Sequence, residues 1–274
     1  MKVISSSKEF DLINFDSPVA FVPTMGNLHE GHLTLVRYAK KNYSDVVTSI
    51  FVNPLQFGKN EDLSSYPKTL NKDIALLEDL NCDYLFLPED NFAKNLTIIE
   101  PKFADVLCGI SRPVHFQGVL TIIDKFIKIV KPDICLFGLK DYQQQLIIKD
   151  YVNTKKIRTK IISLPTVREK SGLAMSSRNN YLSPSERQHC GKIFTCIENL
   201  SREIRDFKTI SSIDSLKAKG LMYLKKNDFE IDYLEILDAD DLSLITQETI
   251  NFLIAVAVKY RKVRLIDNIV VSLN

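Results

Sequence analysis

Along the first 165 residues, short and nearly all-apolar runs alternate with longer stretches whose apolar positions recur every three or four residues. The runs at 19–22, 46–52, 84–87, 134–137 and 160–164 predict buried strands. The periodic stretches at 33–41, 73–80, 119–130 and 142–152 predict helices; in the first, Leu35, Val36 and Ala39 share one face. Pro88 and Pro165 close two of the strands. Strands apolar on both faces, joined through helices, predict a parallel sheet covered on both sides.

The pattern changes after Pro165. Residues 166–183 are polar and read as a loop. Ser183-Pro184 is a helix-start signal, with an N-cap followed by proline at the first helical position. Helices are predicted over about 184–207 and 211–226, then strands over 231–237, 252–258 and 264–269. The expected architecture is therefore α/β, a Rossmann-like doubly wound parallel sheet followed by a second, smaller α+β domain with an antiparallel meander. The expected domains are 1–177 and 178–274. In a doubly wound sheet, ligands sit beyond the carboxyl ends of the strands, near the point where strand order reverses.

Composition narrows the function. With 274 residues, 45% apolar and 26% charged, the chain has the make-up of an ordinary globular protein that needs no disulfide or metal staple. Thirty-six basic and 34 acidic residues leave a net charge of +2. Neither half is strongly basic, so a nucleic-acid partner is not expected. The five cysteines are odd in number and form no CxxC, which points to free buried thiols in a reducing compartment. Residues 1–10 lack the apolar core of a signal peptide, and no run of about 20 apolar residues exists to span a membrane. The expectation is a cytoplasmic protein acting on small molecules.

Four polar motifs fall at predicted strand ends. The first, Pro23-Thr24-Met25-Gly26-Asn27-Leu28-His29-Glu30-Gly31-His32, follows the first strand and opens a helix. Glycine permits a tight turn there, and a helix N-terminus with free amides is a ready anion site. His29 and His32, three residues apart, share a face and can donate hydrogen bonds to phosphate oxygens. A zinc pair, or capping or core histidines, are the alternative readings. The second motif, Asn53-Pro54-Leu55-Gln56-Phe57-Gly58, offers the Gln56 amide as donor and acceptor, or is an ordinary turn. The third, Phe137-Gly138-Leu139-Lys140-Asp141-Tyr142-Gln143-Gln144, supplies a glycine, a positive charge at Lys140, and an acid that can cap the helix or bind ribose or metal. Gln144 lies one turn on. The fourth, Met175-Ser176-Ser177-Arg178-Asn179, puts hydroxyls and a guanidinium on a loop that suits a triphosphate. Arg168 and Lys170 extend it toward a mobile phosphate clamp; a polar hinge is the alternative.

The HxGH loop and the late Ser-Ser-Arg loop resemble the HIGH and KMSKS elements of the nucleotidyltransferase superfamily that includes class I aminoacyl-tRNA synthetases. More narrowly, the chain resembles the pantoate–β-alanine ligase family. PTMGNLHEGH (23–32), FVNPLQF (51–57), EDLSSYPKT (61–69), FGLKDYQQ (137–144), PTVREKSGLAMSSRNNYLS (165–183) and VRLIDN (263–268) carry the likeness, in family order along nearly the whole chain. The resemblance implies two steps: pantoate attacks ATP to give pantoyl adenylate and pyrophosphate, then β-alanine displaces AMP. It implies ATP contacts from Met25, Gly26, Asn27, Leu28, His29, Glu30, Gly31, His32, Gly138, Leu139, Lys140, Asp141, Val167, Met175, Ser176, Ser177 and Arg178. His32, His29 and Lys140 would be the catalytic groups, with His32 a general acid or a stabiliser of phosphate charge. Gln56 would hold pantoate and meet β-alanine, and Gln144 would hold pantoate. Mg²⁺ would arrive mainly on the ATP phosphates, the smaller domain would act as a lid, and the assembly would be a homodimer.

The chain departs from the family at four places. It has Val114 where the family commonly has glycine, Cys108 where it often has glutamate, Lys68 for arginine and Tyr142 for phenylalanine. The first two bear on the geometry of the 108–118 loop. An adenylyltransferase of the same superfamily and a non-catalytic nucleotide-binding module are the other functions compatible with these motifs.

Overall fold

The computed structural model describes residues 1–15, 18–59, 61–206 and 213–273. In chain order the elements are β1 (Lys2–Ile4), α1 (Ser7–Phe10), β2 (Val19–Thr24), α2 (Glu30–Asn42), β3 (Asp45–Ile50), α3 (Leu70–Asp79), β4 (Tyr84–Phe86), α4 (Cys108–Ser111), α5 (His115–Val130), β5 (Ile134–Gly138), α6 (Tyr142–Thr154) and β6 (Lys160–Leu164). They continue as α7 (Pro184–Cys190), α8 (Lys192–Asp206), α9 (Ile213–Lys226), β7 (Glu230–Asp238), β8 (Asn251–Tyr260) and β9 (Val263–Ser272). The chain forms two compact units. One comprises Met1–Ala104 and Arg112–Pro165, the other Asp105–Ser111 and Thr166–Asn274.

The first unit is built on six parallel strands in the order β1-β4-β3-β2-β5-β6. The chain steps outward from β2 through β3 to β4, then returns to place β5 on the other side of β2. The reversal point therefore lies between β2 and β5, whose carboxyl ends lead into the histidine loop and the Gly138–Asp141 segment. One apolar cluster carries Val22 and Leu136 from the strands with Leu33 and Val36 from α2 and Leu77 from α3. Elsewhere in the unit, Phe21, Phe86, Phe92 and Phe126 pack as a ring cluster with centroids 4.9–5.7 Å apart. Aromatic burial of this kind is the main stabilising term of such a core. The edge strand β1 is not foreseen in the hydrophobic pattern, because it is three residues long and Val3 is exposed.

The second unit pairs β7, β8 and β9 as an antiparallel meander, as expected. Its core draws on α8, α9 and all three strands. Ser183 caps α7 through a reciprocal bond with Glu186. The helix predicted over 184–207 is in fact two, α7 and α8, meeting at Gly191. A Cβ there would lie 2.0 Å from the Ser171 carbonyl oxygen, so a crossing backbone sets the joint. Residues 207, 211 and 212 of the predicted helices lie outside the described residues. All five cysteines are free and buried.

Candidate active site

The histidine loop leaves β2 through a hydroxyl. Thr24 Oγ1 donates to the Ser49 carbonyl at 2.7 Å and accepts from the Gly26 amide at 3.2 Å. Gly26 (φ +80°) and Asn27 (φ +49°) then take left-handed conformations, which glycine and asparagine tolerate best. The Leu28 side chain is buried in the core, so only its backbone faces the loop.

His29 is the N-cap of α2. Its Nδ1 accepts from the Gly31 amide at 3.1 Å, and His32 Nδ1 accepts from the His29 amide at 3.4 Å. The two rings lie 4.1 Å apart, tilted by 34°. With both Nδ1 atoms facing backbone N–H groups, each neutral ring carries its proton on Nε2 and presents it as a donor. Burial, then the charge of Lys140, lowers the His29 pKa to about 4. Burial, then His29, lowers that of His32 to about 3. Both are neutral donors at pH 7.

This corrects the expectation of free amides at the helix mouth. The amides of Gly31 and His32 are taken by His29 itself, through Nδ1 and the carbonyl oxygen, and those of Asn27 and Leu28 donate to Asp73. The imidazoles are the donors the loop presents. Glu30 is paired with Arg37 one face down the same helix.

Gln56 closes a short 3₁₀ turn, Pro54–Gln56, capped by Asn53. The Asn53 amide donates to Gln56 Oε1 and to the Gly118 carbonyl, both at 3.0 Å, while its Oδ1 accepts from the Leu55 amide at 3.1 Å. Gln56 Nε2 is thereby turned to Met25 Sδ, 3.1 Å away, so the structure brings Gln56 against the histidine loop. The Gln56 carbonyl oxygen is held by His115 Nδ1 at 3.0 Å and by Arg112 Nη2 at 3.4 Å, and Arg112 is gripped bidentately by Glu61 at 2.6 Å on both oxygens. Burial drives the His115 pKa down to about 3, so that ring too is neutral. Gly118 lies flat on this turn: a Cβ there would meet the Leu55 oxygen at 2.2 Å. Val114 has φ −94° and ψ −6°, outside the left-handed region, so the backbone at the start of α5 does not require a glycine there.

Lys140 and Asp141 form a 3.2 Å ion pair after β5. Asp141 stands at the N-cap of α6, but its carboxylate takes Lys140 and makes no cap bond, contrary to the capping alternative. Burial raises the Asp141 pKa, and Lys140 more than offsets it, holding the carboxyl below its usual range. Gly138 is open: a Cβ there would meet nothing within 4 Å. Leu139 and Gln144 are half-buried. The pair acts electrostatically on both imidazoles, Lys140 lowering and Asp141 raising the pKa values of His29 and His32.

In the second unit, the Val167 carbonyl accepts from the Met175 amide at 2.9 Å, and Arg168 pairs with Ala174 in a one-rung bridge. Ser176 Oγ accepts from the Arg178 amide at 3.3 Å, Ser177 is buried, and Arg178 is half-buried. The Asn179 amide fastens this turn to Glu169 and to the Ala174 carbonyl. Arg168 does not belong to a mobile clamp. It binds Asp267 through both nitrogens, at 2.5 and 2.9 Å, and stacks 3.7 Å above Phe194. It is a strut beneath the loop; Lys170 is exposed.

Met25, His29, His32, Gln56, Lys140 and Asp141 thus converge in the first unit. Reasoning from the sequence missed Asn53, Asp73, His115, Gly118 and the Glu61–Arg112 pair, all of which hold that constellation from behind. No group of three or more His, Cys, Asp or Glu among the described residues forms a metal site. No helix among them is long and apolar enough to cross a membrane.

Known proteins resemble this chain over nearly its whole length. A family model described as pantoate-beta-alanine ligase matches residues 2–270. A pantothenate synthetase of Shewanella denitrificans is 45% identical over 260 residues, covering 93% of this chain and 92% of the relative. One of Cellvibrio japonicus is 42% identical, with 93% and 92% coverage. The crystal structure of pantothenate synthetase from Thermus thermophilus superposes with a TM-score of 0.90 at 35% identity, covering 98% of this chain and 99% of that one. The Francisella tularensis pantoate-beta-alanine ligase, solved with beta-gamma ATP and beta-alanine, gives 0.79 at 36% identity, with 98% and 97% coverage.

Proposed function

The chain belongs to the pantoate–β-alanine ligase family, and from that premise we propose how its residues perform the reaction. The protein is an ATP-dependent ligase that joins pantoate to β-alanine in pantothenate biosynthesis. In our reading it works through pantoyl adenylate. A pantoate carboxylate oxygen attacks the α-phosphorus of ATP, and the bond to pyrophosphate breaks. The β-alanine amine then attacks the acyl carbon, loses a proton, and AMP departs with the acyl–oxygen bond pair.

The observation that carries this reading is the pair of neutral imidazoles at the sheet's reversal point, each with Nδ1 bound to a backbone N–H. Pyrophosphate is a weakly basic leaving group and needs its charge met more than it needs a proton. A ring with a pKa of about 3 or 4 is a poor source of protons at pH 7 but a fixed donor. His29 and His32 therefore act as preorganised donors through Nε2–H, with Lys140 adding positive charge. This favours the charge-stabilising role of His32 over general acid catalysis. Gln56, turned by Asn53, offers Nε2–H to a substrate carboxylate, and Gln144 serves pantoate. Gly138 leaves room for a phosphate to approach the backbone. The family likeness extends the ATP contacts to Leu139, Val167, Met175, Ser176, Ser177 and Arg178, and to Asn27, Leu28 and Gly31 through atoms other than their amides, which are held within the chain.

The donor set fits a Mg²⁺ ion that enters on the triphosphate. Asp141, half-exposed and paired through Oδ1 with Lys140, would offer it a carboxylate oxygen, and the ion would neutralise phosphate charge. A homodimer and a cytoplasmic location complete the proposal, the former open to sedimentation equilibrium. The deciding assay measures pyrophosphate with pantoate and ATP alone, then AMP on adding β-alanine. Release of AMP that requires both acids supports the mechanism. Pyrophosphate release that never occurs without β-alanine, together with no isotope exchange between pyrophosphate and ATP, overturns the adenylate.

A further inference from the structure

The EDLSSYPKT segment and the helix after it contain chemistry that the reaction does not use directly. Asp73 lies in the first turn of α3 and is only 1% exposed. Its Oδ2 accepts from the Asn27 amide at 2.9 Å and its Oδ1 from the Leu28 amide at 2.8 Å. Thr69 Oγ1 lies 3.1 Å from both oxygens, so one hydroxyl steadies the whole carboxylate. In the turn that Gly26 and Asn27 make at positive φ, the successive Asn27 and Leu28 amides point to one side and form a concavity suited to an anion. Here the chain's own carboxylate fills it. Gly26 is moulded to this guest: a Cβ would sit 3.1 Å from Asp73 Oδ2 and 3.0 Å from Ile50 Cγ2.

We propose that Asp73 is the positioning residue of the nucleotide loop, an internal anion that occupies the Asn27 and Leu28 amides, fixes the entry to α2, and leaves the ATP phosphates to His29, His32 and Lys140. The proposal rests on the ligase reading above. The Asn27–Leu28 nest runs directly into His29, the N-cap of α2, so whatever fixes the nest also fixes where the two imidazoles start. Without a charge in the nest, the left-handed pair at 26–27 loses its partner and the imidazoles lose that fixed starting point. A charged acceptor is needed, because a neutral amide offers one oxygen to two donors and turns an N–H₂ toward the other.

The test is Asp73→Asn, with Thr69→Val as the milder lesion, both in the full-length enzyme. The expected result for Asp73→Asn is a KM for ATP raised about tenfold or more, with slower pantoate-dependent pyrophosphate release and a β-alanine KM within about twofold of the parent. In ¹⁵N spectra the Asn27 and Leu28 amide protons should lose the downfield shift that a carboxylate acceptor gives. Thr69→Val should move ATP KM in the same direction by less. A merely structural role would reduce the folded fraction, and with it apparent kcat, while leaving every KM in place. Folded Asp73→Asn with unchanged KM for ATP overturns the proposal. If that variant does not fold, Thr69→Val decides: a raised KM for ATP supports it, and an unchanged one overturns it. A parent enzyme that releases no AMP with both acids present would remove the ligase reading instead, and the amide shifts would still report whether Asp73 holds the loop.

Discussion

Gly118→Ala separates the packing of the substrate turn from its chemistry. In most helices this change is favourable, worth about 1 kcal/mol in propensity. Here the new Cβ would meet the Leu55 carbonyl oxygen at 2.2 Å, its carbon at 2.3 Å and the Gln56 amide nitrogen at 2.6 Å. These are backbone atoms, so no side chain can swing aside. Overpacking of this kind typically costs about 1–3 kcal/mol, which leaves a net loss of roughly 0–2 kcal/mol after the propensity gain. For a chain of this size that lowers Tm by only a few degrees, at about 2–4 °C per kcal/mol. Activity should suffer far more. Relieving the contact moves the Gln56 turn by roughly 1 Å, and misplacement on that scale can cost about a hundredfold in rate. The shift would also strain the Asn53 bond to the Gly118 carbonyl that sets the Gln56 amide. The assay pairs a thermal melt with steady-state kinetics in pantoate. A Gly118→Ala enzyme with near-parental Tm and near-parental kcat/KM for pantoate would refute the reasoning, because it would mean that the turn yields without moving Gln56.

His32→Ala should slow adenylate formation by about a hundredfold or more, the usual loss of one donor to developing charge, in a protein that still folds; near-normal single-turnover pyrophosphate release would rule out that role. Gly138→Ala adds a Cβ that meets nothing within 4 Å, so its melt should match the parent, and any rise in KM for ATP then measures how closely a phosphate approaches that backbone. Burial depresses His29, His32 and His115 below their ordinary value of 6.5, to about 4, 3 and 3. The unfolded chain thus binds more protons between these values, so stability is full above about pH 6.5 and declines on acidification toward pH 4; a denaturant midpoint flat across that window would contradict the burial of these rings.

Most of the first unit is legible in the sequence because its strands are apolar on both faces and its helices keep a clean period. The strand expected at 134–137 is Ile134–Gly138, and the helix at 142–152 is Tyr142–Thr154. Helix α5 begins at His115, four residues before the periodic stretch announces it. His115 and Gly118 of its first turn face the Gln56 turn while Gln117 bonds Glu100, and this hides the period. The histidine, glutamine and lysine motifs are legible for a related reason: groups that meet a ligand cluster next to one another along a strand end. The groups that hold them do not. Asp73 acts on amides 45 and 46 residues away, and His115 on a carbonyl 59 residues away. Their partners are backbone atoms, which carry no residue signature. One signal was nonetheless present. Leu70, Asp73, Ile74 and Leu77 fall on one face of α3, and an acid in an otherwise apolar stripe is costly unless something inside the fold donates to it. The sheet brings the end of β2 next to the start of α3, and the donors it delivers are the two amides that the left-handed pair at 26–27 has already turned inward.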